Sequence, residues 1–300
     1  MIILILFYGS NTFLNIGFTF QPSEIIKFAM IAYIADFLAR RQDDLKYFFR
    51  GFVPVMLVFG LVCGLILIQP DLGTVLLISM VSFLMFFCGG IRFSYLLGSF
   101  LCSLPLLYKF VLGVAYRRKR ILSFLNPWED PQGISFQIVQ SFIALGSGGL
   151  FGVGLGESKQ KLFYLPEAHT DFIFSIIGEE LGFLACILIL SMFLLFFILG
   201  FRISFKAVDL RAHFFALGIV IMIFLQAVIN MGVVSGFFPT KGMPLPFISF
   251  GGTNLVVMMF SVGVLFNISK LQDKVRENLS VSKKGKRNKK IDRLLAKPQY

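Results

Sequence analysis

Seven long apolar runs, separated by short polar stretches, dominate the pattern along the chain. They cover residues 22–40, 50–69, 72–89, 93–113, 171–200, 213–235 and 248–268. A helix of about 20 apolar residues crosses the roughly 30 Å of hydrocarbon in a bilayer. A shorter run at 1–8 ends at "GSNT", as the end of a further helix would. The pattern predicts an all-α polytopic membrane protein with seven full transmembrane helices and an N-terminal remnant.

The short loops predict the orientation of these helices. Basic residues concentrate in 39–46, 90–92, 201–206 and the segment from residue 270 onward. Seven alternating helices place all four on one side, which the positive-inside rule assigns to the cytoplasm. The opposite side then carries "QPDLGT", the "PTKG" loop and a long segment from 114 to 170.

Charge and composition divide the chain into two parts. Only 15% of the residues are charged and 57% are hydrophobic, which excludes an ordinary soluble domain. Residues 270–300 hold eleven Lys or Arg against three Asp or Glu, so we expect a membrane domain at 1–269 and a basic, disordered cytoplasmic tail at 270–300. Anionic lipids would suit such a tail, whereas nucleic-acid binding is not expected without aromatic platforms. The four cysteines lie in apolar runs without CxxC spacing, which gives no reason for a metal or disulfide role.

The extracytoplasmic loop 114–170 departs from the positive-inside rule. Its "YRRKR" cluster, residues 116–120, places Arg117, Lys119 and Arg120 on the non-cytoplasmic side. Either an anionic ligand binds there, or the cluster pairs with acidic residues of the same loop. The loop also contains "SFQIVQSFIALGSG", whose spacing predicts an amphipathic interfacial helix.

The end of this loop, "YLPEAHTDF", is the first candidate for chemistry. Thr170 is predicted to cap the next helix and Asp171 to lie in its first turn, where the helix dipole favours an ionised carboxylate. Beside His169 and Glu167, such a carboxylate can accept a proton from a substrate hydroxyl. Asp in a first helical turn is also ordinary capping, so function depends on these neighbours.

Further polar residues accompany this candidate. Glu179 and Glu180 follow inside the same helix, where buried acids need partners, and Lys27, Gln226 or Asn230 could supply them. We expect structural ion pairing for these acids and a structural role for Lys27. The "PTKGMPLPFISFGG" loop contains three prolines and Lys241, and it could hold an anionic ligand or serve only as a stiff turn.

These motifs together resemble the SEDS family of peptidoglycan polymerases. The resemblance runs through "QPSEIIKFA", "QPDLGT", "NPWEDPQG", "LPEAHTDF" and "FPTKGMPLPFISFGG", and "NPWEDP" with "PTKG" favours its cell-division branch. It implies a glycosyltransferase that joins lipid II into glycan strands. Ten helices are typical of the family, which implies that two helices and most of a third are missing before Met1.

The resemblance also implies roles for particular residues. Asp171 becomes the catalytic base. The departing lipid pyrophosphate and the sugars would be bound by a set of polar side chains, namely Arg117, Lys119, Arg120, Glu167, His169 and Lys241. No cofactor is implied with certainty, although a divalent cation could take part. The implied partners are a class B penicillin-binding protein and other division proteins, at the septum of the bacterial inner membrane.

Two other functions compete with the polymerase. A lipid II flippase would also have many spans and buried acids, but it should show paired broken helices near the middle of the membrane. A non-catalytic scaffold for a penicillin-binding protein would tolerate the loss of helices.

Overall fold

A computed structural model describes residues 14–15, 19–69, 71–113, 115–162 and 165–295. The helices are α1 Pro22–Arg40, α2 Val53–Ile68, α3 Leu72–Gly89, α4 Phe93–Leu112, α5 Ala115–Leu125, α6 Phe136–Gly148, α7 Ile173–Phe205, α8 Leu210–Val234 and α9 Gly252–Leu295. A π-helical turn, Phe48–Phe52, leads into α2. Before α1, the short strands β1 Leu14–Asn15 and β2 Thr19–Phe20 pair antiparallel. The apolar run at 1–8 lies outside the described residues.

The helical membrane fold predicted from the sequence is confirmed. Five of the described helical segments are long and apolar enough to cross a membrane: Phe48–Ile68, Leu72–Gly89, Ile173–Phe205, Leu210–Val234 and Gly252–Val275. Helix α1 is not among these five segments because it contains several charged residues, among them Glu24, Lys27 and Asp36. In α4 the described residues give a shorter apolar helix, Phe93–Pro105. The count of seven full spans therefore stays a prediction.

Helix α8 forms the centre of the bundle. It packs against α1, α3 and α7, and 72% of its most apolar stretch is buried inside the protein. In α7 the corresponding share is 17%, so most of that helix presents Leu, Ile and Phe side chains to its surroundings. An apolar helix that the protein does not cover is suited to contact lipid.

The loops gather at two ends of the bundle, as the alternation of helices predicts. At one end, called the tail end, Arg211 lies 3.7 Å from Asp36 and the Gln272 side chain donates to the carbonyl of Ile203. At the opposite end, called the site end, the Gln21 backbone donates to Thr253. Residues 39–46 and 201–206 therefore share the end from which α9 leaves the membrane.

Helix α9 continues beyond the predicted boundary at residue 269. Its candidate membrane span is Gly252–Val275, but the helix extends to Leu295. The basic segment expected to lack regular structure is thus helical from 270 to 295, and the boundary at 269 does not coincide with the end of an element. A helix that has already formed can continue into polar residues because propagation costs less than nucleation.

Candidate functional site

Two loops meet at the site end and define the candidate site. The acidic loop, residues 165–172, precedes α7, and the proline loop, residues 239–251, joins α8 to α9. The backbone N–H of Phe250 donates to the carbonyl of His169 at 2.9 Å. The Ser249 hydroxyl donates to the carbonyl of Thr170 and accepts from the Leu245 N–H. The two loops are therefore fixed to each other by their backbones.

Two buried side-chain amides of helix α8, those of Asn230 and Gln226, hydrogen-bond to the backbones of these loops. The Asn230 side chain donates to the carbonyls of Asp171 and Met243, each at 2.7 Å. One turn earlier, the Gln226 amide donates to the carbonyl of Pro244 at 3.0 Å. Buried amides satisfied in this way fix backbone position. Both residues were candidate partners for the acids of α7, but their amides bond to the two loops instead.

Both loops contain a strained backbone position. Among the described residues, Glu167 and Phe247 are the non-glycine residues with positive φ, at 56° and 65°. Such conformations persist where surrounding contacts enforce them, and they concentrate at functional sites. At Glu167 the enforcing contacts are local, because its carbonyl accepts from the backbones of Thr170 and Phe172.

This turn changes the predicted position of Asp171. Helix α7 begins at Ile173, with Phe172 in the capping position and no side-chain cap, so the prediction that Thr170 caps the helix was wrong. The turn centred on Glu167 diverts the backbone from helical geometry until Phe172. Asp171 thus lies before the helix and faces the proline loop, where a Cβ added to Gly242 would be 2.5 Å from Asp171 Oδ2.

The electrostatics of Asp171 also differ from the expectation. The pKa of this carboxyl is raised to about 6: burial is the largest cause, the negative charge of Glu167 adds to it, and the Arg120 guanidinium opposes both. The expected dipole effect does not dominate, because the surrounding protein removes water from the carboxylate. A carboxylate with a pKa near 6 is still mostly ionised at neutral pH, yet it holds a proton more strongly than an ordinary Asp.

The basic cluster reaches this site through Arg120. Its guanidinium donates to the carbonyl of Thr240 at 3.4 Å, next to Lys241. Lys119 is exposed on the same helix, α5. The side chain of Arg117 lies outside the described residues. Arg120 thus brings the basic cluster to the two loops.

Lys241 is held by a neighbour that was not among the residues selected from the sequence. Its ammonium lies 3.7 Å from the carboxylate of Asp71, and its alkyl chain crosses Gly73 so closely that any Cβ there would overlap it. Asp71 in turn caps α3 by accepting from the backbone and hydroxyl of Thr74. The motif "QPDLGT" gave a detectable signal, since it places a capping Asp on the same side as Lys241.

The two acids in α7 bind the end of the long loop. The Glu180 carboxylate pairs with Lys161 at 2.6 Å, which agrees with the expected ion pairing. Glu179 is buried and accepts from the Ser158 hydroxyl and from the backbones of Lys159 and Gln160. Its partners are neutral donors, so for Glu179 the expected ion pair was wrong.

Lys27 does not reach either of these acids. It lies in α1, pairs with Glu24 at 2.8 Å and donates to the Gln226 side chain at 2.9 Å. Gln226 also supports Pro244. The contacts of Lys27 therefore connect α1 to the proline loop through Gln226.

A break in α7 explains why acids are tolerated in this helix. Gly182 has φ 77° and ψ −174°, which interrupts the helical ladder. The glycine loop, residues 149–156, fills the gap: Val153 and Gly154 donate to the carbonyls of Glu179 and Glu180. In return, Phe183 and Leu184 donate to the carbonyls of Gly149 and Leu150. The acids thus lie at the break, beside a polar loop, and not within an uninterrupted membrane helix.

We expect Gly182→Ala to destabilise the protein by about 3 kcal/mol or more, since a strained backbone position alone costs about 1–3 kcal/mol. The new Cβ would in addition overlap the backbone of Gly152. Thermal unfolding in detergent measures the effect. Gly146→Ala in α6 is the matched control, because its Cβ meets open space and Ala favours a helix. Equal stability of the two variants would contradict the proposed role of Gly182.

No candidate metal site is found in the described part of the chain. The residues that the structure describes contain no group of three or more His, Cys, Asp or Glu side chains placed to hold an ion.

Comparison with known sequences adds a family to this geometry. The family model of the FtsW, RodA and SpoVE cell cycle proteins matches residues 2–274. The chain is 50% identical over 253 residues to the "Probable peptidoglycan glycosyltransferase FtsW" of Geobacter metallireducens, covering 84% of this chain and 68% of the relative. It is 48% identical over 263 residues to the stage V sporulation protein E of Bacillus subtilis, covering 87% and 72%.

Solved structures share the fold. A chain of a peptidoglycan synthase complex, described for its coordination of polymerization and crosslinking, superposes with a TM-score of 0.73 at 25% identity, covering 90% of this chain and 79% of that one. The rod shape determining protein RodA of Thermus thermophilus superposes with a TM-score of 0.63 at 24% identity, covering 90% and 75%.

Proposed function

This chain belongs to the FtsW, RodA and SpoVE family of cell cycle proteins, and from that premise we propose that it is a peptidoglycan glycosyltransferase that polymerises lipid II into glycan strands. The relatives named above as peptidoglycan glycosyltransferases support the enzyme class. The chain is a multi-pass membrane protein. Its operation at the division septum, beside a class B penicillin-binding protein and other division proteins, is part of the proposal.

The observation that carries the reaction is the position of Asp171. Its carboxylate is half-buried between the acidic and proline loops, its pKa is raised to about 6, and its backbone is fixed by Asn230. A base is most effective when its pKa is close to the working pH and its position is fixed. We assign Asp171 the removal of the proton from the acceptor sugar hydroxyl as that oxygen attacks the anomeric carbon of the donor.

The departing lipid pyrophosphate needs positive charge nearby. Arg120 and Lys241 both lie at the proline loop. The Arg120 guanidinium donates to the carbonyl of Thr240, the residue before Lys241. An Arg can bind a phosphate through two parallel hydrogen bonds, while a Lys acts as a point charge. Glu167 and His169, both exposed beside Asp171, are assigned to orientation of the sugars. The exposed Lys119 of α5 and Arg117 are assigned to the same pyrophosphate.

The proposed activity is tested directly with purified protein and purified lipid II. We expect glycan strands to form in the presence of a class B penicillin-binding protein, and gel separation of the products measures their length. A preparation that binds lipid II but forms no strands, with or without the partner, would overturn the assignment as a polymerase.

The raised pKa predicts a pH dependence. A base with a pKa of about 6 is lost as the pH falls through that value, so kcat/KM should decline about tenfold per unit below pH 6 and level off above it. Glu167→Gln removes a charge that raises this pKa and should move the acid limb to lower pH. Arg120→Gln should move the limb to higher pH. A pH–rate profile measures both shifts, and an acid limb that neither variant moves would contradict the role of Asp171.

A lipid II flippase is a second candidate because α7 is broken. Discontinuous helices in transporters leave backbone groups free to bind substrate. Here four of the groups at the break pair with the glycine loop, which makes the break structural. Movement of fluorescent lipid II across proteoliposomes by the polymerase-inactive Asp171→Asn variant would favour the flippase.

A further inference from the structure

The glycine loop exposes an apolar surface that has no part in the proposed catalysis. Phe151 is 79% exposed and Leu155 76% exposed, and Leu150 and Val153 beside them are also open. No charged residue occurs between Phe142 and Gly156. An apolar patch of this kind is unusual for a surface in water and marks contact with a protein or a membrane.

The backbone of this loop is equipped for an apolar environment. Irregular chain is normally absent from lipid because its N–H and C=O groups would lack partners. In the glycine loop, Gly152 donates to the carbonyl of Gly148, and Val153 and Gly154 donate into the break of α7. The carbonyls of Gly149 and Leu150 accept from α7 in return. Five backbone groups of the loop are thus satisfied within the protein, which lowers the cost of placing the loop beside lipid.

The length of α7 sets the depth of the loop. The helix that follows the break, residues 183–205, is about 34 Å long at 1.5 Å per residue, close to the roughly 30 Å of a bilayer core. Its first residue, Phe183, therefore lies at the edge of the hydrocarbon on the site end. Since Phe183 and Leu184 bond directly to the glycine loop, the loop lies at the same level.

The exposed side chains of the loop continue the uncovered surface of α7. Phe183, Leu184 and Leu188 are all more than half exposed, and they belong to the helix that is least buried among the five described candidate spans. Continuity with that surface favours acyl chains over a protein partner as the material that covers the loop.

We propose that the glycine loop is a membrane anchor that inserts Leu150, Phe151 and Leu155 among the acyl chains of the leaflet at the site end. The anchor is tied to the acidic loop, because the backbone of Leu165 donates to Gln160 and Gln160 is held by Glu179. Insertion thus fixes the height of Asp171 above the hydrocarbon. Exposure and backbone pairing support the anchor, which does not depend on the proposed polymerase activity.

Tryptophan fluorescence in nanodiscs tests the anchor. Trp128 is the only tryptophan of the chain and is exposed, so the Phe151→Trp, Trp128→Phe protein reports on the loop alone. Wild type, which reports on Trp128, is the matched control. We expect the loop tryptophan to emit at shorter wavelength, to lose more fluorescence than Trp128 in lipids with brominated acyl chains, and to be protected from aqueous iodide.

Two results would overturn the anchor. Strong quenching by iodide with none by brominated lipid would place the loop in water. Protection from both quenchers would show that protein covers it. Leu155→Trp with the same Trp128→Phe change is measured in parallel, so that a folding defect in one variant does not leave the result open, and quenching of whichever variant folds decides whether the loop is in lipid.

Discussion

We expect the Asp171→Asn variant to form glycan strands about 10²- to 10⁴-fold more slowly than wild type, the usual loss when a general base is removed. Asn keeps the shape of the side chain but cannot take a proton from the acceptor hydroxyl at neutral pH. The rate is measured with purified lipid II and the penicillin-binding partner, together with lipid II binding and thermal unfolding.

The structure separates this chemical effect from a folding effect. Asp171 does not cap α7, since Phe172 occupies that position, and burial disfavours its charge. The Asn variant should therefore unfold at a temperature no lower than that of wild type. Near-normal polymerisation by this variant would sink the assignment. His169→Ala is the companion variant, and as a substrate-orienting neighbour it should slow the reaction less.

The second large effect is expected for Lys241→Ala, which should weaken binding of a lipid-pyrophosphate analogue about 10- to 100-fold. Loss of a hydrogen bond to a charged group costs about 1.5–3 kcal/mol, and about 1.4 kcal/mol corresponds to tenfold in affinity. Arg120→Ala should have a similar effect. Lys159→Ala is the matched control because this exposed Lys lies at the same end of the bundle and its loss removes the same charge. Equal binding by all three variants would show that the cluster is structural.

Asp71 gives this prediction a further test. If Asp71 acts by holding the Lys241 ammonium, then Asp71→Asn should weaken analogue binding by itself and have little additional effect in the Lys241→Ala background. A double-mutant cycle measures this coupling. Additive losses would mean that the two side chains act independently.

The raised pKa of Asp171 depends on contacts that are distant in sequence. Glu167 is close to Asp171 in the sequence. Arg120 lies far before Asp171 in the sequence and Gly242 far after it, yet both are near its carboxylate in the fold. From the sequence, the helix dipole suggested a firmly ionised carboxylate. Desolvation cannot be inferred without knowing which loops cover the group.

The sequence by itself determined the helical membrane fold, the shared ends of the loops, and the motifs that carry the family resemblance. Hydropathy is a property of about 20 consecutive residues and does not depend on partners. The sequence also identified Asp171, Arg120 and Lys241 as candidate site residues, because polar residues at the ends of apolar helices are conspicuous.

Only the tertiary structure decided how the polar residues pair. Lys27 was a candidate partner for Glu179, but it binds Glu24 and Gln226, the latter 199 positions away. Asp71 holds Lys241 from a distant part of the chain, and Gly182 breaks α7 because the glycine loop supplies the missing hydrogen bonds. A buried charge or a broken ladder is tolerated wherever a partner is brought within about 3–4 Å. That proximity is set by the packing of helices around α8, and no local pattern of residues encodes it.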